Sequence, residues 1–167
     1  MSIITGDFVT RLSGGAGNAV GNSSLGGAKS STNASSSLNG LFDTTSAAEA
    51  AAGVVDYRCV YLHNNNGVDT MTNAVVFVSS NTPNANTTID IGVGTSAVNG
   101  TEQTIANEAT APTGVTFSSP TTAGAGLALG TIPTGQHRAI WIRRTVTAGA
   151  GASASDPFTL GYQCETV

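Results

Sequence analysis

Charge is the scarcest commodity in this chain. Only 10% of its 167 residues are Asp, Glu, Lys or Arg, against roughly 25% in ordinary soluble domains. Aromatics reach only 5%, so a core must be built from Val, Ile, Leu and Ala. Lys and Arg together number six, and the formal net charge is −4. A nucleic-acid backbone needs clustered cations to displace its counterions, and six scattered ones argue against that partner. The nearest approach to a cluster is Arg138, Arg143 and Arg144. A strand through them would turn Arg143 and Arg144 to opposite faces.

Long apolar runs are also missing. Nothing approaches the roughly 18 residues of a membrane-spanning helix, so no membrane partner is expected. The opening "MSIITGDFVTRL" has neither the basic n-region nor the apolar h-region of a secretory signal, which leads us to expect a soluble protein that folds in a cytoplasm. Cys59 and Cys164 are the two cysteines, too few for a disulfide scaffold. A bridge between them is open geometrically if the first and last core strands are neighbours. A cytosolic setting favours free, buried thiols instead.

What is present divides the chain into three. Residues 1–40 are rich in Gly, Ser, Asn and Ala, with isolated apolar anchors at Ile3, Ile4, Phe8, Val9, Leu12, Val20, Leu25 and Leu38. Their spacing fits neither period 2 nor 3.6, beyond a short extended piece at Ile3–Leu12. This composition predicts a flexible, extended arm. Residues 41–53 predict a short helical connector. Ser46 and Glu49 stand at the spacing of a capping box, alanines follow, and Gly53 supplies a stop. Leu41 and Phe42 could pin its entry.

Residues 54–167 read as strands. In "VVDYRCVYLHN", Tyr57, Cys59 and Tyr61 alternate with Arg58, Val60 and Leu62. "NAVVFVSS" and "TTIDIGVG" follow, the latter with Ile89, Ile91 and Val93 in phase; "GVTFSSP" and "GLALGTI" are shorter candidates. "PTGQ" is a turn into the strongest strand, "HRAIWIRRTV", and "PFTLGYQCE" closes the chain after an Asp156-Pro157 turn. About seven short strands separated by turn signals suggest an antiparallel β-sandwich. Thr95–Pro112 is a polar excursion or an interface.

Chemistry is sparse. "GAGNAVG" has the glycines of a dinucleotide turn but no helix pattern after it, and Ala28 stands where a phosphate loop needs Gly before Lys29. His63 and His137 sit at strand ends without carboxylates or cysteines at metal-like spacing. The single carboxylates Asp56, Asp69, Asp90, Glu102, Glu108 and Asp156 read as solvated loop charges. Trp141, between Ile140 and Ile142, reads as a core residue; pointing outward it could serve, with Tyr61, as a sugar-binding platform. No Gly-x-Ser-x-Gly elbow occurs. No enzyme, metal or cofactor is implied.

Read in order, "RLSGGAGN", "SLGGAKSS", "LFDTTSAAEAAAG", "YRCVYLHN", "SSNTPNANTTIDIGVGTSAVNGTEQTIANEATAPTGVTFSSP" and "GLALGTIPTGQHRAIWIRRTV" span nearly the whole chain. This series resembles small structural proteins from the virion modules of tailed bacteriophages. The resemblance implies an immunoglobulin-like sandwich that decorates and stabilises a capsid exterior, assembled in the host cytoplasm. It also implies the major capsid protein and further copies of the chain, as a trimer, for partners. The N-terminal arm would bridge neighbouring subunits through Ile4, Phe8, Val9, Arg11, Leu12, Val20, Leu25 and Lys29. The alternative is a carbohydrate- or receptor-binding module of a tail or head appendage, with a host-surface glycan as partner.

Overall fold

A computed structural model describes residues 2–37, 39–151 and 157–166. Its organising element is β4 (Val54–Asn64), an eleven-residue strand flanked by β1 (Phe8–Ser13) and β9 (His137–Val146). With β3 (Lys29–Asn33) and β6 (Thr87–Val93) these form an antiparallel sheet of order β3-β1-β4-β9-β6. A second antiparallel sheet has order β10-β5-β8, from β5 (Met71–Ser80), β8 (Leu127–Ile132) and β10 (Thr159–Thr166). The class is all-β with one short helix.

The two sheets share one apolar cluster. The five-stranded sheet contributes Leu12, Val60, Leu62, Ile89, Ile91, Ile140 and Ile142; the other contributes Met71, Ala74, Val76, Val78, Leu129 and Ile132. Strand alternation sends the remaining β4 residues to the other face. There Tyr57, Cys59 and Tyr61 join Ala139, Trp141 and Ile105 in a second cluster, with Leu25, Val115 and Phe117 packed on it. The central sheet is therefore buried on both faces. Its outer cover comes from the segments around Leu25 and Ile105, tied together by β2 (Gly26–Gly27) pairing with β7 (Glu102–Thr104). Trp141 is fully buried here, a core residue as the sequence suggests, but in the outer core rather than between the sheets. "GVTFSSP" forms no strand; it meets β6 through an Ile91–Ser118 bridge and a hydrogen bond from Ser119 Oγ to the Ile89 carbonyl at 2.8 Å.

The N-terminal segment corrects the sequence reading. Residues 8–33 do not extend away from the domain. β1 pairs with β4 from Phe8 opposite Asn64 to Leu12 opposite Val60, and β3 pairs with β1. The physical reason is that β4 would otherwise offer a bare row of backbone donors and acceptors. Any extended backbone can satisfy such an edge, so a segment with few apolar residues suffices, provided Leu12 faces the core. Leu12 is only 2% exposed. Glycine serves close packing here: a Cβ at Gly21 would overlap the Gly40 carbonyl oxygen, and one at Gly26, where φ is +93°, would overlap that of Gln103.

The connector forms as expected. Helix α1 (Ala47–Ala52) carries the reciprocal box, with the Glu49 amide donating to Ser46 Oγ at 3.3 Å and the Ser46 amide donating to Glu49 Oε2 at 2.7 Å. Gly53, at φ +81°, ends it. Leu41 and Phe42, just upstream, are buried in the main cluster.

The cysteines are both free. Cys59 lies on the outer face of β4, whereas Cys164 lies on β10 in the other sheet and packs against the main cluster. The strands that carry them are not neighbours, so the condition for a bridge is not met. Leu38 and Asp156, singled out from the sequence, lie outside the described residues.

Candidate functional site

The residues expected to contact partners fall into three groups. Leu12 is core, Leu25 supports the outer cluster, and Phe8 stacks on Tyr162 of β10 with ring centroids 6.2 Å apart. Thr10 Oγ1 lies 2.9 Å from the Tyr162 hydroxyl, tying β1 to the second sheet. Leu12 is out of reach of a neighbour, while Phe8 and Leu25 are half-buried against the domain itself. Ile4 and Val20 remain outside, 65% and 56% exposed. Val9, Arg11 and Lys29 form the third group, at one end of the outer face of the five-stranded sheet. The outermost strands of the two main sheets include β3 and β10. Extended chains can add to such edges through main-chain hydrogen bonds.

The outer-face end gathers basic side chains by register. His63 stands directly opposite His137 across β4 and β9, and opposite Val9 on β1. Arg11, two residues along β1, shares that face, and Lys29 is the β3 partner of Ser13. The His137 ring meets Tyr61 edge-on, 4.8 Å between centroids. Burial holds the His63 pKa below its ordinary value, and repulsion from Lys29, Arg11 and His137 adds to the effect. Burial and Lys29 lower His137 likewise, and burial and Arg11 lower Lys29. The sequence showed both histidines as isolated strand-end residues. Only strand pairing makes them neighbours.

Further along the outer face, Tyr61 and Glu102 hold the cover in place. The Tyr61 hydroxyl donates to the Gly27 carbonyl and accepts from the Glu102 amide at 2.9 Å. The Glu102 carboxylate accepts from Thr95 Oγ1 at 3.0 Å and from the Ser96 amide at 2.9 Å. Burial acts to raise the Glu102 pKa, but hydrogen bonds from Ser96 and Thr95, with a smaller contribution from Trp141, outweigh it and hold the pKa at about 2. Burial also pushes the Tyr61 and Cys59 pKa values upward. Tyr61 and Trp141 are both fully buried. Neither can present a ring to a sugar.

Two carboxylates read as solvated loop charges are in fact buried: Asp56 is 2% exposed and Glu102 3%. Asp56 pairs with Arg144, its Oδ2 3.0 Å from Nε. Strand parity, which places Asp56 and Arg144 opposite each other, was the signal that could have found this pair. Nothing in the polar run around Glu102 distinguishes it. Arg143 pairs with Asp90 at 2.7 Å on the opposite face from Arg144, as the strand reading required.

Between the sheets, a cavity of about 500 Å³ opens beside Phe42, Phe158 and Arg144. Its lining mixes Ser, Thr and Asn with aliphatic side chains. Among the described residues, no three His, Cys, Asp or Glu side chains are grouped so as to hold a metal ion. Compared with known protein families, curated proteins and solved structures, the chain matches none.

Proposed function

We propose that the protein is a non-enzymatic structural component of a tailed-phage virion, an immunoglobulin-like sandwich that decorates and stabilises the capsid exterior. The observation that carries this reading is the ordered series of phrases, from "RLSGGAGN" to "GLALGTIPTGQHRAIWIRRTV", that resembles such proteins along nearly the whole chain. Two physical features support it. An acidic chain with net charge −4 suits the outside of a DNA-filled shell better than its inside. The outer strands β3 and β10 also suit attachment to the major capsid protein and to two further copies in a trimer, because strand addition needs little sequence specificity.

The arm mechanism is replaced in this proposal. Residues 8–33 brace the domain, so contact with neighbours falls to the sheet edges and to exposed Ile4 and Val20. Immunoelectron microscopy of intact particles, with an antibody raised against this chain, tests the assignment. Regular labelling of the head surface is expected. Labelling confined to the tail, or none on the particle, would overturn it. The glycan-binding alternative loses its two aromatic contacts, Tyr61 and Trp141, to burial.

A further inference from the structure

We propose that Arg11, Lys29, His63 and His137 form a binding site for an oxyanion, on the outer face of the five-stranded sheet where β3, β1, β4 and β9 run side by side. This inference stands independently of the virion reading.

The first observation is a segregation of charge. The other four cations of the chain are engaged elsewhere. Arg58 reaches Glu108 and Asp43, Arg143 pairs with Asp90, and Arg144 with Asp56. Arg138 donates to the carbonyls of Ser96 and Gly94. Arg11 and Lys29 are left without a carboxylate partner among the described residues, and they are close enough to each other for mutual repulsion. Arg138 shares that lack but spends its guanidinium on two carbonyls. Arg11 donates through Nη1 to the Ser31 carbonyl and lies beside Lys29, so this acidic protein keeps two cations without an acid side by side.

The second observation is the pair of imidazoles. Residues directly opposite in an antiparallel pair hold their Cβ atoms about 4.5–5.5 Å apart, so His63 and His137 can address one ligand together. The charges that bear on His63 are Lys29, Arg11 and His137, all of one sign when protonated. The neutral neighbour is Tyr61, whose hydroxyl is committed to Gly27 and Glu102.

The third observation concerns hydrogen bonding. Backbone hydrogen bonds from the Gln136 and Gly100 segments act on the His63 and His137 rings, yet Arg11 Nε, His63 Nδ1 and His137 Nδ1 are buried without a well-aligned partner. Buried polar atoms are nearly always satisfied, and a group of three exceptions in one place calls for an explanation. Protonated imidazoles donate from both nitrogens. Together with the ammonium of Lys29 and the guanidinium of Arg11, which lie within electrostatic range of the His63 ring, they make a cationic group of charge-assisted donors suited to phosphate, sulfate or carboxylate oxygens. A divalent metal fits less well. It would find two imidazoles but no anionic ligand, and two fixed cations beside it.

Binding must then be linked to protonation. An oxyanion favours the charged imidazoles, so affinity rises as pH falls toward the ordinary histidine range. The same chemistry could come from a free phosphate or from a carboxylate side chain of another protein.

The test follows the ring-nitrogen and ring-proton NMR signals of His63 and His137 while the full chain is titrated with inorganic phosphate. Acetate is titrated in parallel, and sodium chloride at matched ionic strength is the control. Saturable shifts with phosphate, an increase in both histidine pKa values, and an affinity at least about tenfold weaker in Lys29→Gln are expected. Lys29 is partly exposed on β3, so the variant should fold; its circular dichroism checks that. A further Arg11→Gln variant tests the second cation. Selectivity for phosphate over acetate would point to a phosphate ligand, and the reverse to a carboxylate; both support the site. Shifts reproduced by chloride alone, no saturation, or zinc shifting the signals where phosphate does not would each overturn it.

Discussion

The guanidinium carbon of Arg144 lies 4.8 Å from the centre of the buried Phe42 ring. Arg58, fully buried, approaches the same ring at 5.2 Å and donates through Nε to the Leu41 carbonyl at 3.1 Å. Phe42 therefore anchors the connector to two cations of the central sheet while filling the main cluster. Cation–π contacts of this kind strengthen when desolvated. Phe42→Ala should cost about 3–5 kcal/mol in urea unfolding. Phe42→Leu should cost less, because it keeps most of the volume. Equal losses in both would mean that the ring's contact with the cations, rather than its volume, dominates.

Removal of residues 1–40 should abolish cooperative folding instead of leaving an intact domain. The deletion takes away β1 and β3, bares one edge of β4, and removes Leu12 from the core. Thermal denaturation by circular dichroism reads the outcome. A truncated chain that still melted in one sharp transition would show that the strand pairing of β1 is dispensable.

Two glycines of "GAGNAVG" should behave differently. A Cβ at Gly17 meets nothing within 4 Å, whereas one at Gly21 collides with the backbone of Gly40 and Leu41. Gly17→Ala is expected to leave stability within about 0.5 kcal/mol of the parent, as for most surface changes. Gly21→Ala should cost about 1–3 kcal/mol, as overpacking usually does. The comparison of the two midpoints in denaturant isolates close approach from chain flexibility.

Acid should destabilise the protein in two stages. The folded pKa values of His63 and His137 lie below the ordinary 6.5, so the unfolded chain takes up those protons first. Stability is intact above about 6.5 and falls as the pH drops below it. Glu102 is held at about 2 against an ordinary 4.5. Its contribution is present above 4.5 and is lost as the pH falls toward 2. Melting temperature measured against pH in buffers free of phosphate should show both limbs. Glu102→Gln should flatten the lower limb, and His63→Gln should weaken the upper one.

Legibility in the sequence followed the range of the interaction. The capping box of Ser46 and Glu49 spans three residues, and both of its hydrogen bonds form. The alternation of β4 is equally local, and it separates Tyr57, Cys59 and Tyr61 from Val60 and Leu62 as read. The same alternation carries a further signal: with apolar residues on both faces, the strand has to be covered twice. The buried state of Asp56 depends on Arg144, 88 residues away, and that of Glu102 on a cover layer whose composition reads as loop.

The amino-acid sequence by itself determined an all-β chain, the strong strands at its centre and end, and the short capped helix. Those follow from side-chain periodicity and from hydrogen bonds between near neighbours. Only the tertiary structure decided that the glycine-rich start is a working part of the sheet, that the cysteines lie in different sheets, and that two distant histidines stand opposite each other. Strand pairing is made by backbone groups that every residue carries. The partner of a strand edge is therefore selected by the whole fold and leaves little mark on the residues that supply it.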